Sequence, residues 1–153
     1  RNLVDITSKG GNYLLNVGAT AEGVFPAPSV RNLKTVGKWM KVNGEAIYGA
    51  GPSTIGSGSG KSGKPSARAG KTRKGGQETH DWYCTTKPSK LYIHFFQWPG
   101  EKFELTGVKD KVTKAYLLAD HKSLTVTQDD GKLVVSLPGN APDAIASVLC
   151  LEN

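Results

Sequence analysis

The spacing of hydrophobic positions changes along the chain, and the predicted element changes with it. In residues 12–18, Tyr13, Leu14, Leu15 and Val17 run almost consecutively between Gly11 and Gly18, the pattern of a strand buried on both faces of a parallel sheet. Before it, Leu3, Val4 and Ile6 recur at helical spacing, and Lys9-Gly10 reads as a last turn and its cap. After a small-residue loop from Gly18 to Phe25, Pro26 and Pro28 lead into a second helix running from Ser29 to about Asn43. Val30, Leu33, Val36, Gly37 and Met40 form its apolar stripe, Arg31, Lys34, Lys38 and Lys41 lie largely off it, and Gly44 stands as its C-terminal cap. Helix, strand and helix in this order make an α/β unit, yet a parallel strand needs parallel neighbours and this stretch has none. Residues 1–50 are therefore expected to be an α/β barrel remnant, the last strand and helix of a (β/α)8-like barrel whose beginning lies upstream.

From about residue 79 the period drops to two. Strands are expected at residues 82–86, 90–97, 103–105, 112–118, 123–128, 132–137 and 145–151, many of them separated by Pro-, Gly- and Asp-rich turns. Seven short strands with such turns predict an all-β antiparallel sandwich over residues 79–153. In the second run Leu91, Ile93 and Phe95 alternate with Tyr92, His94 and Phe96, so both faces are covered and that strand is expected to be central. Between the two patterns the composition turns to Gly, Ser, Lys and Arg, and residues 51–78 read as a flexible basic linker unable to bury enough surface to offset its chain entropy.

Charge changes this picture little. The chain of 153 residues carries a formal net charge of +7, and six of those positive charges, Lys61, Lys64, Arg68, Lys71, Arg73 and Lys74, lie in the linker without an acidic neighbour. No aromatic residue interleaves with them, so contact with a polyanion is nonspecific and salt-sensitive; a solvated tether is the favoured reading, and no specific nucleic-acid partner is expected. No apolar run approaches the roughly 18–20 residues of a membrane span. A start at Arg1 agrees with a processed or excised piece, so the lack of a visible signal peptide says nothing about secretion. Cys84 and Cys150 are too few for a disulfide framework and are expected to be buried thiols, a single bridge being the alternative.

Local motifs exclude more chemistry than they suggest. Gly58-Ser59-Gly60-Lys61-Ser62-Gly63 satisfies G-x-G-x-x-G, but Ile55 stands where a phosphate loop needs glycine, and Pro65 and more glycine follow where both motifs need a helix. His80, His94 and His121 are scattered and no Cys or His pair has zinc spacing, so no metal and no cofactor is expected. His94, within an apolar strand, reads as a hydrogen-bonded core or interface histidine. Among carboxylates, Glu22 is of interest because the loop after a barrel strand lies on the catalytic face. Asn16, Glu22 and Phe25 are therefore the candidate pocket-bordering residues, with a solvated or turn-stabilising carboxylate as the plainer role for Glu22. Asp5 and Glu45 read as structural.

The segment from Leu3 to Gly18, Leu-Val-Asp-Ile-Thr-Ser-Lys-Gly-Gly-Asn-Tyr-Leu-Leu-Asn-Val-Gly, followed by Thr20-Ala21-Glu22-Gly23, resembles the end of the catalytic domain of α-L-fucosidases of glycoside hydrolase family 29. The likeness continues through Trp39 and Val42-Asn43-Gly44-Glu45-Ala46-Ile47-Tyr48-Gly49, while Ala19 replaces the family's usual proline. Trp82, Cys84-Thr85-Thr86-Lys87, Leu91-Tyr92-Ile93, Gln97-Trp98-Pro99 and Ala115-Tyr116-Leu117-Leu118 resemble, more weakly, the family's C-terminal β-sandwich. The resemblance implies retaining hydrolysis of terminal α-L-fucosyl bonds of glycans, with an aspartate nucleophile and an acid/base carboxylate both upstream of this sequence. It also implies a secreted, periplasmic or lysosomal parent and a partner in the missing N-terminal barrel segment. No catalytic residue is carried onto this chain, which is expected to be inert alone. The alternative is a non-catalytic carbohydrate-binding or structural sandwich with a basic tether, in which Trp82, Tyr83, Trp98 and Tyr116 supply a sugar platform.

Overall fold

A computed structural model describes residues 1–58 and 80–153 and, between them, the backbone of residues 62–63. The strands are β1 (Gly51–Gly58), β2 (Ser62–Gly63), β3 (Trp82–Lys87), β4 (Lys90–Phe95), β5 (Lys102–Thr106), β6 (Lys114–Leu117), β7 (Val126–Asp129), β8 (Lys132–Ser136) and β9 (Ser147–Glu152). They form a five-stranded sheet of order β1-β3-β4-β9-β6 and a four-stranded sheet of order β2-β5-β8-β7. Every described pairing is antiparallel except the short parallel pair of β2 with β5.

Turn chemistry fixes two of the registers. β3 and β4 pair from Trp82 opposite Phe95 to Lys87 opposite Lys90, leaving Pro88-Ser89 as a two-residue turn with Ser89 at φ +60°. Proline pre-sets the first turn position and the second takes the left-handed geometry. β7 and β8 meet at Asp129 opposite Lys132, and Asp130 and Gly131 both have positive φ, as a tight Asp-Gly hairpin requires.

Alternation along the strands then builds two cores. Trp82, Cys84, Ile93, Phe95, Phe103, Leu105, Leu133, Val135 and Leu149 fill the space between the sheets. Tyr83, Tyr92, Tyr116, Val148 and Cys150 point from the opposite face of the five-stranded sheet and meet Val4, Trp39, Ala46 and Ile47. Those last four come from helix α1 (Asn2–Ser8), helix α2 (Ala27–Asn43) and the segment around the 3-10 turn Gly44–Ala46. The chain is thus a three-layer body, with the helical segments covering one face of a sandwich. Strand β4 is central, as its two-sided apolar pattern predicts, and Cys84 and Cys150 are buried free thiols.

Three expectations are corrected. Residues 12–18 form no strand: the backbone from residue 11 to 20 has no regular structure, and Leu14 and Leu15 are 93% and 52% exposed. An apolar strand without hydrogen-bonding neighbours has nothing to pair with, so the barrel remnant is not seen as a strand here. The expected linker also starts too early, because Gly51–Gly58 pairs with β3, buries Ile55 in the inter-sheet core, and so belongs to the sandwich. Ser62–Gly63 adds a second strand inside the same expected linker, whose remaining residues lie outside those described. Finally, Gly44 is not a left-handed cap but continues into the 3-10 turn at φ −60°. A Cβ there would lie 3.0 Å from the ring of the exposed Tyr48, so a side chain at this position needs that ring to shift.

Candidate functional site

The loop joining α1 to α2 carries the residues expected to border a pocket. The Thr20 amide donates to the Val24 carbonyl at 2.9 Å and the Gly23 amide to Thr20 at 3.0 Å, with Gly23 at φ +79°, so residues 20–24 close a tight turn. Asn16, Glu22 and Phe25 are all exposed, Phe25 by 60%. The Thr20 hydroxyl and Glu22's own backbone amide hold the Glu22 carboxyl below its usual range. Hydrogen bonding to the ionised form explains that direction, and Glu22 acts here as a turn-stabilising carboxylate. None of the three lines the open cleft between β1 and the end of β9 or the small cavity bordered by Val4, Val36, Trp39 and Ala146. Among the described residues no group of three or more His, Cys, Asp or Glu has the arrangement to hold a metal ion.

The densest polar cluster lies where the 3-10 turn meets the five-stranded sheet. Lys90 Nζ donates to Glu45 Oε1 at 2.7 Å and contacts Glu152 Oε1 at 3.1 Å and the Tyr116 hydroxyl at 3.4 Å. The Tyr92 hydroxyl donates to Glu45 Oε1 at 2.7 Å, and the Tyr116 hydroxyl to Glu152 Oε1 at 2.6 Å. Pairing of Lys90 with Glu152 across β4 and β9, and of Tyr116 with Cys150 across β6 and β9, brings these groups to one face. The Lys90 ammonium, then the Tyr92 hydroxyl, holds the Glu45 carboxyl low; the Tyr116 hydroxyl, then Lys90, does the same for Glu152. In return, the hydrogen bond to Glu45 leads in raising Lys90, while burial leads in raising both Tyr92 and Tyr116. Every member favours the state it already has.

Two deeper contacts fasten the helical layer. The Thr85 hydroxyl donates to the Ala46 carbonyl at 2.7 Å and lies 2.9 Å from His94 Nε2. A hydroxyl has one proton, so with it committed to Ala46 the oxygen accepts from His94, which assigns the Nε2–H tautomer. His94 Nδ1 has no partner among the described residues, and complete burial pushes the imidazole down to about 3. The Trp39 indole donates to the Ala146 carbonyl at 2.7 Å, tying α2 to the approach to β9. The aromatics considered for a sugar platform are absorbed in the same packing. Trp82, Tyr83 and Tyr116 are buried, and Trp98 packs edge-on against Phe95 while its indole donates to the Pro138 carbonyl. An exposed stacking surface is therefore not formed by these four.

The Glu45 cluster could not be read from sequence spacing, since Glu45 and Lys90 are 45 residues apart and only the sheet register brings Glu152 to Lys90. The partial signal was Glu45 itself, within the stretch that carried the family resemblance.

Comparison with known proteins gives a consistent result. The family model for α-L-fucosidase matches residues 1–45. Tissue α-L-fucosidase of Homo sapiens is 32% identical over 148 residues, covering 94% of this chain and 28% of that protein. The Rattus norvegicus tissue enzyme is 35% identical over 143 residues, covering 92% of this chain and 27% of that protein. Among solved structures, α-L-fucosidase isoenzyme 1 from Paenibacillus thiaminolyticus matches with a TM-score of 0.76 at 31% identity, over 99% of this chain and 33% of that one. Thermotoga maritima α-fucosidase, in complex with a mechanism-based inhibitor, gives 0.75 at 25% identity over 99% and 33%. The chain spans about 28% of the length of the curated relatives it matches.

Proposed function

We propose that this chain, a member of the α-L-fucosidase family corresponding to the C-terminal part of its relatives, completes and supports a barrel that hydrolyses terminal α-L-fucosyl bonds, and cleaves no bond itself. Retaining hydrolysis needs two carboxyl groups about 5–5.5 Å apart with one pushed up so that it can deliver a proton. Among the described residues, Glu22, Glu45 and Glu152 are set the other way. Glu45 and Glu152 share the Lys90 ammonium and are both lowered, Asp5 is buried against Lys9 at 2.7 Å, and Glu22 is lowered in an exposed turn. None has the environment of a general acid.

The observation that carries the supporting role is the apolar surface that the first half of α2 and the chain before it leave uncovered. Trp39 and Asn43 are buried against the sandwich side, whereas Leu33, earlier in the helix, remains 42% exposed. The chain just before the helix likewise leaves Leu14, Leu15, Val24 and Phe25 exposed. These are apolar positions suited to the inside of a larger body. In this reading residues 12–18 become the closing barrel strand when parallel neighbours are supplied, residues 1–50 are the barrel's end, and Asn16, Glu22 and Phe25 come to border the fucose pocket of the parent enzyme. The carbohydrate-binding alternative loses its footing with the burial of its aromatic platform.

The purified chain incubated with 4-nitrophenyl α-L-fucoside is expected to release no nitrophenol, and release above the uncatalysed rate overturns the inert role. A chimera joining this chain to the preceding two-thirds of the Paenibacillus enzyme is expected to hydrolyse the same substrate. A folded chimera without activity overturns the supporting role.

A further inference from the structure

The helical layer is held to the five-stranded sheet by side chains, with no strand pairing. Among the described residues, no backbone-to-backbone hydrogen bond joins residues 1–50 to the sheet. The polar part of the joint consists of the Thr85–Ala46, Trp39–Ala146 and Glu45–Lys90 contacts, the Tyr92 hydroxyl on Glu45, and Arg1. The Arg1 guanidinium donates to the His80 carbonyl at 2.6 Å and lies 4.2 Å from the centre of the Phe96 ring. A layer attached in this way can open without unfolding the sheet, because local opening follows the weakest set of contacts.

His94 sits under this joint. In register it lies between Tyr83 of β3 and Val148 of β9, its ring centre is 6.2 Å from that of Trp39, and its Nε2 meets the Thr85 hydroxyl that holds Ala46. A second proton on the ring would turn Nδ1 into a charged donor, and Nδ1 is buried without a partner. The surrounding elements offer it no free carboxylate. From α1, Asp5 is taken by Lys9 at 2.7 Å, and from the 3-10 turn Glu45 is taken by Lys90 and Tyr92. Glu152, on β9, is taken by Lys90 and Tyr116. Tyr83 of β3 and Cys150 of β9 carry no charge at neutral pH, and the charge that acts on the ring, the Arg1 amino group, has the same sign as the imidazolium. A buried cation so placed is relieved only by exposure to water.

Acid has no such target on the other face of the sheet. The titratable side chain in the inter-sheet core is the Cys84 thiol, which burial pushes up. We propose that His94 is an acid-operated latch, whose protonation releases the helical layer from the five-stranded sheet while the two-sheet sandwich stays folded.

The direction follows from the ring's two environments. Its value is about 3 when buried and 6.5 when exposed, so the closed state is favoured above pH 6.5 and loses ground as pH falls toward 3. Between pH 6 and 5 the opened fraction rises about eightfold. Glu45 and Glu152, lowered from 4.5, stay ionised in that window.

The two buried thiols report on the two faces separately, since Cys150 belongs to the core beneath the helical layer and Cys84 to the inter-sheet core. The full chain is labelled with 4,4′-dithiodipyridine at pH 6 and pH 5, each thiol is followed by peptide mass mapping, and rates are divided by that of a short cysteine peptide at the same pH. Cys150 is expected to react at least about tenfold faster than Cys84, and its relative rate to rise about eightfold from pH 6 to pH 5. His94→Gln is expected to remove that rise. His80→Gln/His121→Gln, which leaves His94 as the sole histidine, is expected to keep it, and this arm decides the matter even where His94→Gln does not fold. Labelling of both thiols at one rate, no rise at Cys150, a rise that survives in folded His94→Gln, or its loss in His80→Gln/His121→Gln overturns the proposal.

Discussion

At the scale of single residues, the Thr85 hydroxyl ties three parts of the chain together, because it satisfies the Ala46 carbonyl and the His94 imidazole at once. Thr85→Val keeps shape but leaves both partners buried and unpaired, and is expected to cost about 2–6 kcal/mol, from about 1–3 per orphaned group. Thr85→Ser keeps the hydroxyl and is expected to cost only about 1 kcal/mol for the lost methyl. Urea unfolding of the two variants measures both. His94 adds a pH dependence. Its folded value of about 3 lies below the ordinary 6.5, so its stabilisation is present above pH 6.5 and is lost as pH falls toward 3. At pH 5 the loss depends only on the unfolded value and comes to about 2 kcal/mol relative to pH 8. Glu45 and Glu152, whose carboxyls are lowered from 4.5, lose their contribution only below that value. His94 thus governs the upper part of the acid limb, and His94→Gln should flatten it between pH 6.5 and 5 in the same unfolding assay. The burial of His94 was legible in the sequence because its neighbours alternate on a two-sided apolar strand. Thr85's part was not, since nothing local distinguishes it from Thr86, which bonds instead to its own hairpin.

At the scale of elements, legibility followed whether a strand carries its own apolar alternation. β4, β5 and β8 do, and residues 82–86, 90–97 and 132–137 anticipate β3, β4 and β8 to within two residues at each end. β1 does not. Gly51, Gly56 and Gly58 give it the composition of a linker, and what makes it a strand is the edge offered by β3. Its last residue shows how tight that contact is, because a Cβ on Gly58 would overlap the six-membered ring of Trp82. Gly58→Ala is therefore expected to destabilise the chain by about 1–3 kcal/mol through overpacking. Gly37→Ala, on a helix face with open space around it, is expected to stabilise it by up to about 1 kcal/mol. Thermal unfolding of the pair should move in opposite directions. Residues 12–18 are the converse of β1: their apolar run is strand-like, yet their hydrogen-bonding partners are absent from the described residues, and local pattern cannot supply an edge.

At the scale of the whole molecule, the helical layer has one face held by the sandwich and another left apolar. The held face depends on Trp39, Ala46 and the Glu45–Lys90 contact; the other includes Leu33 and, in the chain before the helix, Leu14. If the second face serves only to receive a barrel, its residues contribute little to the chain alone, because their exposed side chains gain little burial on folding. Leu14→Glu/Leu33→Glu should then leave the unfolding free energy of the chain within about 0.5 kcal/mol of the parent value, as surface substitutions do. In the chimera with the Paenibacillus barrel the same pair would bury two carboxylates without partners, which costs several kcal/mol. Fucosidase activity and the chimera's melting temperature are therefore both expected to fall sharply. Glu substitutions at Arg31 and Lys38, exposed on the same helix but off its apolar stripe, should leave both measurements close to those of the unsubstituted chimera. Equal tolerance of both pairs in the chimera would mean that Leu14 and Leu33 do not face the barrel, and that the barrel meets the sandwich through another surface.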